Sequence, residues 1–184
     1  MPSQKQDYLL RLIEELGRLI AELRKLRDQG RHDTALLTGL QAQERLFARP
    51  AQEFMVRPIE EQLHLLAVGE TDANARVKCL AYATLLTEAG QTYAAREQAA
   101  LASGAYQLAL QVLLLTASDH PAQEPAEDRG RVGMLLELLS DDQLAGEVAE
   151  MLRQFQSAAI ESQPPGPIAG SSVPPPATSG PKIP

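Results

Sequence analysis

The sequence predicts an all-helical protein built of antiparallel helix hairpins, about six to seven helices in all, on three observations. Of the 184 positions, 44% are hydrophobic, yet only 4% are aromatic and Trp is absent. Leu and Ala dominate that set and are strong helix formers, whereas the residues that suit a pleated sheet are scarce. Apolar side chains recur at spacings of three and four, and Gly, Pro and capping residues interrupt the pattern at helix-sized intervals.

The first segment, residues 6–29, carries Leu9, Ile13, Leu16, Ile20 and Leu23 as one stripe, with Leu12, Leu19 and Leu26 beside it. That face is broader than a surface helix needs, so it is expected to touch two neighbours. Gly30 suits the left-handed residue that closes a helix, and Asp33 suits the cap of a second helix ending near Phe47. The two form a hairpin. Pro50 and Pro58 bracket an irregular connection, because proline removes a backbone donor and restricts the residue before it. A short helix from Ile59 to Val68 follows, then a turn over Gly69, Glu70, Thr71 and Asp72.

From Ala73 to about Ser103 the pattern is helical through Val77, Leu80, Leu85, Tyr93 and Ala100, with Gly90 as a possible bend or break and Gly104 as the end. Tyr106 to about Ser118 reads as a strongly apolar partner, expected to be the most buried element. Pro121 and Pro125 mark a loop over residues 118–128. Helices near Arg129 to Leu139 and Asp141 to Ala158 complete the body, with Ser140 and Asp141 as caps between them. Residues 1–162 are long enough for one domain with a real core. Residues 163–184 hold eight prolines and one charged side chain, Lys182, and are expected to be a disordered tail.

The formal charge of −7 argues against nucleic-acid binding, which needs a surplus of Lys and Arg on one surface. Residues 1–31 hold seven basic and five acidic side chains, and residues 119–162 hold three and ten. The two ends either attract each other or are ordinary solvated faces. Cys79 is the only cysteine, which excludes an internal disulfide or thiolate cluster and fits a reducing compartment. Its apolar helical surroundings mark it as a small buried hydrophobe rather than a nucleophile. The opening residues lack a secretory signal, so a cytoplasmic location is expected. The most apolar run, Leu108 to Ala117, is about half of what crosses a bilayer, so no membrane association is expected.

Two stretches share a pattern of glycine, an aromatic residue or histidine two positions on, and alanine three beyond. They are Gly30-Arg31-His32-Asp33-Thr34-Ala35 and Gly104-Ala105-Tyr106-Gln107-Leu108-Ala109. Leu19 and Ala42 extend the first; Tyr93, Leu113 and Pro121 extend the second. This spacing resembles the tetratricopeptide repeat, whose glycine and small residues allow a tight turn and close helix approach. The first copy departs from it at Gly39, and the copies lie 74 residues apart rather than in tandem. The stretch from Gln6 to Arg18 is also similar to the N-terminus of an uncharacterised bacterial family of tetratricopeptide-like proteins, with a similar order of elements through about Phe155. The resemblance implies a right-handed superhelical stack of helix pairs that acts by binding proteins.

The sequence has no phosphate-binding glycine loop or nucleophile elbow, and no two histidines share a ligand spacing, so no catalytic, cofactor or metal site is expected. His64 and Glu60 share a helical face and make either a surface ion pair or the beginning of a metal site that lacks a third ligand. Arg11, Arg18 and Lys25, seven residues apart, form a basic stripe on the first helix. That stripe either receives an acidic partner segment or is neutralised by Glu14, Glu15 and Glu22.

The expected function is therefore non-enzymatic: a protein-interaction or scaffold module for an unknown protein or peptide. A self-associating structural protein, a homo-oligomer covering the broad face of the first helix, is the second reading. A helical small-molecule sensor is the third. The proline-rich tail is either disordered or an extended ligand for another protein.

Overall fold

The structure, a computed structural model, describes residues 4–139 and 144–161. Among them all regular structure is helical: α1 (Gln4–Asp28), α2 (His32–Phe47), α3 (Ala51–Phe54), α4 (Ile59–Ala67), α5 (Asp72–Ala95), α6 (Ala99–Asp119), α7 (Pro125–Leu136) and α8 (Gly146–Glu161). The tail over residues 163–184, and the caps expected at Ser140 and Asp141, lie outside the described residues.

The first hairpin closes as expected. Gly30 has φ +75°, and the amides of Gly30 and Arg31 bond back to Arg27 and Leu26 carbonyls. Asp33, however, lies inside the first turn of α2 rather than capping it, where its charge still suits the helix dipole. Gly39 explains its own departure from the repeat pattern, since a Cβ there would stand 3.0 Å from Leu23. Its absence lets α2 lie close on α1.

The bracketed connection contains the four-residue helix α3, pinned by Phe54, which is fully buried. Its ring stacks on Phe47 at 4.1 Å, and Phe47 meets Tyr82 edge-on at 5.0 Å. Phe54 therefore ties the connection to α2 and, through Phe47, to α5.

The long stretch from residue 73 breaks elsewhere than expected. Helix α5 runs straight through Gly90, and the chain reverses at residues 96–98, with Glu97 in the left-handed region at φ +61°. Gly104 does not end a helix; it lies inside α6. Gly90 serves close packing instead, because a Cβ there would fall 2.5 Å from the Tyr106 ring. The loop expected over residues 118–128 shrinks because α6 continues to Asp119 and Pro125 opens α7 at its first turn, where a missing N–H costs nothing. The last helix begins at Gly146 rather than near residue 141.

Helix α5 is the hub, packing against α1, α2, α4 and, most extensively, α6; α6 in turn carries α7 and α8. Cys79, Tyr82, Leu85, Leu86 and Thr92 are all buried on α5. By length and composition α6 alone among the described helices is apolar enough to cross a bilayer, and 56% of that stretch is buried inside the fold. Its apolar run is therefore longer than the sequence reading recognised, and much of it builds the core.

Candidate functional site

An open groove of ≈ 810 Å³ runs between α2, α5 and α6. Leu36, Leu37 and Leu40 form one wall, and Leu101, Ala105 and Leu108 form the other. Met55 stands at one end, and Tyr82, Leu86 and Tyr93 contribute from α5. Leu37, Met55, Leu101 and Leu108 remain 44–56% exposed, so their apolar area is only half covered by the chain itself. No charged residue lines the groove, and residues 34–43 and 98–118 contain no Asp, Glu, Lys or Arg.

Two polar side chains of the groove, Tyr82 and Gln62, are satisfied internally. The Tyr82 hydroxyl donates to Gln62 Oε1 at 2.5 Å, and Gln62 Nε2 donates to the Arg57 carbonyl at 2.8 Å. Burial pushes the Tyr82 hydroxyl well above its ordinary pKa, so it stays a donor.

Elsewhere on α5 is a buried carboxylate, Glu88, whose side chain is 4% exposed. Arg24 Nε donates to its Oε1 at 2.7 Å, and Arg27 Nη1 donates to its Oε2 at 2.8 Å and to Gln91 Oε1 at 2.8 Å. The hydrogen bond to Glu88 raises the Arg24 pKa against the opposing effect of burial. A buried carboxylate held by two guanidiniums fixes how α1 lies on α5. A second buried pair, Arg76 Nη2 to Asp128 Oδ1 at 2.6 Å, fixes α7 on α5, and Arg76 Nη1 also donates to the His120 carbonyl.

Arg11, Arg18 and Lys25 are all exposed on α1. Lys25 lies 4.0 Å from Glu22, while Arg11 and Arg18 have no ion-pair partner among the described residues. Glu15 faces α2 instead, pairing with Arg45 at 3.1 Å. Arg11 lines a cleft between α1 and α2 in which Arg45 and Arg49 alternate with Glu15 and Glu44. Arg11 and Arg18 are thus not neutralised by Glu14, Glu15 or Glu22, and Arg11 stands in a cleft where three arginines face two glutamates.

Of the repeat-like positions, Ala35, Tyr106, Ala109 and Leu113 are buried, Leu19 and Tyr93 are half-buried, and Pro121 follows the end of α6. His64 and Glu60 are exposed and share a cavity of ≈ 340 Å³ with Cys79, Asp119 and His120. No three His, Cys, Asp or Glu side chains converge there or elsewhere among the described residues. His120 Nδ1 sits 3.2 Å from Asp72 Oδ1 without hydrogen-bond alignment. Burial pushes the Cys79 thiol up to about 11, which makes it a poor nucleophile.

Sequence reasoning missed Glu88, its two arginines, and the groove. An acidic residue on an otherwise apolar stretch of α5 is the one local sign of the first. No family model, curated protein or solved structure matches this chain.

Proposed function

We propose that this chain is a non-enzymatic protein-interaction module whose groove between α2, α5 and α6 receives an amphipathic helix of another protein. The half-exposed Leu and Met side chains of that uncharged groove are the observation that carries this reading. The chemistry of the groove selects the occupant. Its walls are helices whose backbone groups are already bonded, so an extended peptide would bury its amides without partners. A helix satisfies its own backbone and needs only an apolar face. Because no wall residue carries charge, an Asp or Lys pressed into the groove would lose water and gain nothing, so that face must be uncharged.

The tetratricopeptide-like pattern supports the same reading, since the α1–α2 and α5–α6 hairpins pack together through α5, as successive helix pairs do. A right-handed superhelical stack and a cytoplasmic setting, which suits the lone free Cys79, belong to this proposal.

A photo-reactive amino acid replacing Leu101 or Met55 in the intact chain tests it in the cell. Crosslinks are expected to apolar helical segments of a different protein and are expected to vanish with Leu37→Glu plus Leu108→Glu. No crosslink at either position sinks the reading. Crosslinks confined to a second copy would favour self-association, for which Val56, 81% exposed beside Met55, is the specific observation. The broad face of α1 favours self-association less than its sequence implies, because Leu9, Leu12, Leu16, Leu23 and Leu26 are buried within the chain.

A further inference from the structure

The groove between α2, α5 and α6 sets three conditions on whatever covers it, and one segment of this chain meets all three. The first is charge. No charged residue lines the groove, so an occupant has to be uncharged along the face it buries. Residues 162–181 contain no Asp, Glu, Lys or Arg, and the only other run of that length, residues 98–118, is itself a wall of the groove.

The second condition is the backbone. An extended strand finds no partners for its amides between these helices, a cost that a proline-rich strand avoids because proline has no N–H. Val173-Pro174-Pro175-Pro176 combines one branched apolar side chain with three successive rings that carry no amide proton. Proline also holds φ near the polyproline value beforehand, so little backbone freedom is lost on docking. The carbonyls of such a strand keep their water, because the groove is open and its Leu37, Met55, Leu101 and Leu108 are half exposed.

The third condition is reach. The Ala145 amide donates to Gln107 Oε1 at 3.1 Å, so α8 starts beside α6, at the residue preceding the wall residue Leu108. Helix α8 has 16 residues and is therefore about 24 Å long. Residues 162–172, in a polyproline conformation, span roughly 34 Å. That exceeds the length of α8 by about one helix diameter, so Val173 returns to the level of Leu108 whichever way α8 runs.

We infer that residues 173–176 lie in the groove as an extended proline strand and that a partner helix must displace them, an inference that rests on the groove being the helix-binding surface proposed above. Being tethered, the strand acts at an effective concentration on the order of millimolar. A weak contact therefore keeps the apolar walls covered, while a partner helix of higher affinity still enters.

The test is photo-crosslinking of the purified intact chain with a photo-reactive amino acid in place of Leu101 or Met55, followed by peptide mapping. Crosslinks within one molecule to residues 168–178 are expected. Val173→Asp plus Pro175→Asp, which would carry charge into an uncharged groove, is expected to abolish them. The same pair of changes is expected to shift the amides of residues 36–43 and 100–108 while those of α7 stay in place. No crosslink to the tail, crosslinks that join two copies, or groove amides unmoved by the two aspartates would each overturn the inference. Tail crosslinks in the purified chain with none to another protein in the cell would support the covering strand and sink the helix-binding reading. Partner crosslinks in the cell with none to the tail would overturn the covering strand and leave that reading standing.

Discussion

Gly90 and Tyr106 show how one missing Cβ decides an interface. The Tyr106 ring occupies the place of a Gly90 side chain, so Gly90→Ala forces a 2.5 Å contact between α5 and α6. Overpacking of this kind costs about 1–3 kcal/mol, against which alanine regains roughly 1 kcal/mol of helix propensity. A lower urea midpoint is expected for Gly90→Ala, and the same change in a Tyr106→Leu background should be neutral or stabilising. A penalty that survives loss of the ring would show that something else crowds Gly90. Cys79 gives a pH signature. Its thiol is held near 11 in the fold against 9.0 unfolded, so the folded chain keeps a proton that the unfolded chain releases. Its contribution is therefore intact below pH 9 and is lost as pH rises toward 11, by about 2–3 kcal/mol at most. Thermal melts from pH 8 to 11 should converge for the parent chain and Cys79→Ala; parallel curves would mean that the thiol titrates normally.

At the scale of elements, most helices were legible because a stripe of Leu at three-and-four spacing means a buried face whatever it packs against. Helix α1 shows this, with Leu9, Leu12, Leu16, Leu23 and Leu26 all buried. The α5–α6 boundary was not legible. Glycine at residues 90 and 104 looked like punctuation, but both lie within helices, and the reversal falls on Arg96, Glu97 and Gln98, none of which is a turn residue. Glu97 accepts a left-handed conformation because the Gln98 amide reaches the Tyr93 carbonyl at 3.0 Å and tertiary packing sets the angle between the hairpin arms. That strain is roughly 1–2 kcal/mol for a residue with a Cβ. Glu97→Gly should relieve it, less the entropy glycine adds to the unfolded chain, for a net gain of up to about 1 kcal/mol. A few degrees in melting temperature is the expected readout, and a decrease would show that the Glu97 side chain itself holds the turn.

At the scale of the molecule, the groove is a product of how helices lean on α5, which is why it could not be read from local pattern. Leu37 and Leu101 are unremarkable in sequence; they become a site because α2 and α6 stand apart on either side of Tyr82. Two buried ion pairs fix other helices on the same hub, Glu88 holding α1 and Asp128 holding α7. Apolar packing tolerates small slides, whereas a buried carboxylate tolerates none without losing its partner. The two pairs are not equal. Arg76 and Asp128 are both largely buried, so Asp128→Asn should cost about 3 kcal/mol. Glu88→Gln should cost less through Arg24, which is half in water and screened. Hydrogen exchange would separate the local from the global effect. In Asp128→Asn, amides of residues 129–136 are expected to exchange faster while those of α1 and α2 keep their protection. Uniform acceleration across the chain would instead mean that α7 is an integral part of one cooperative core.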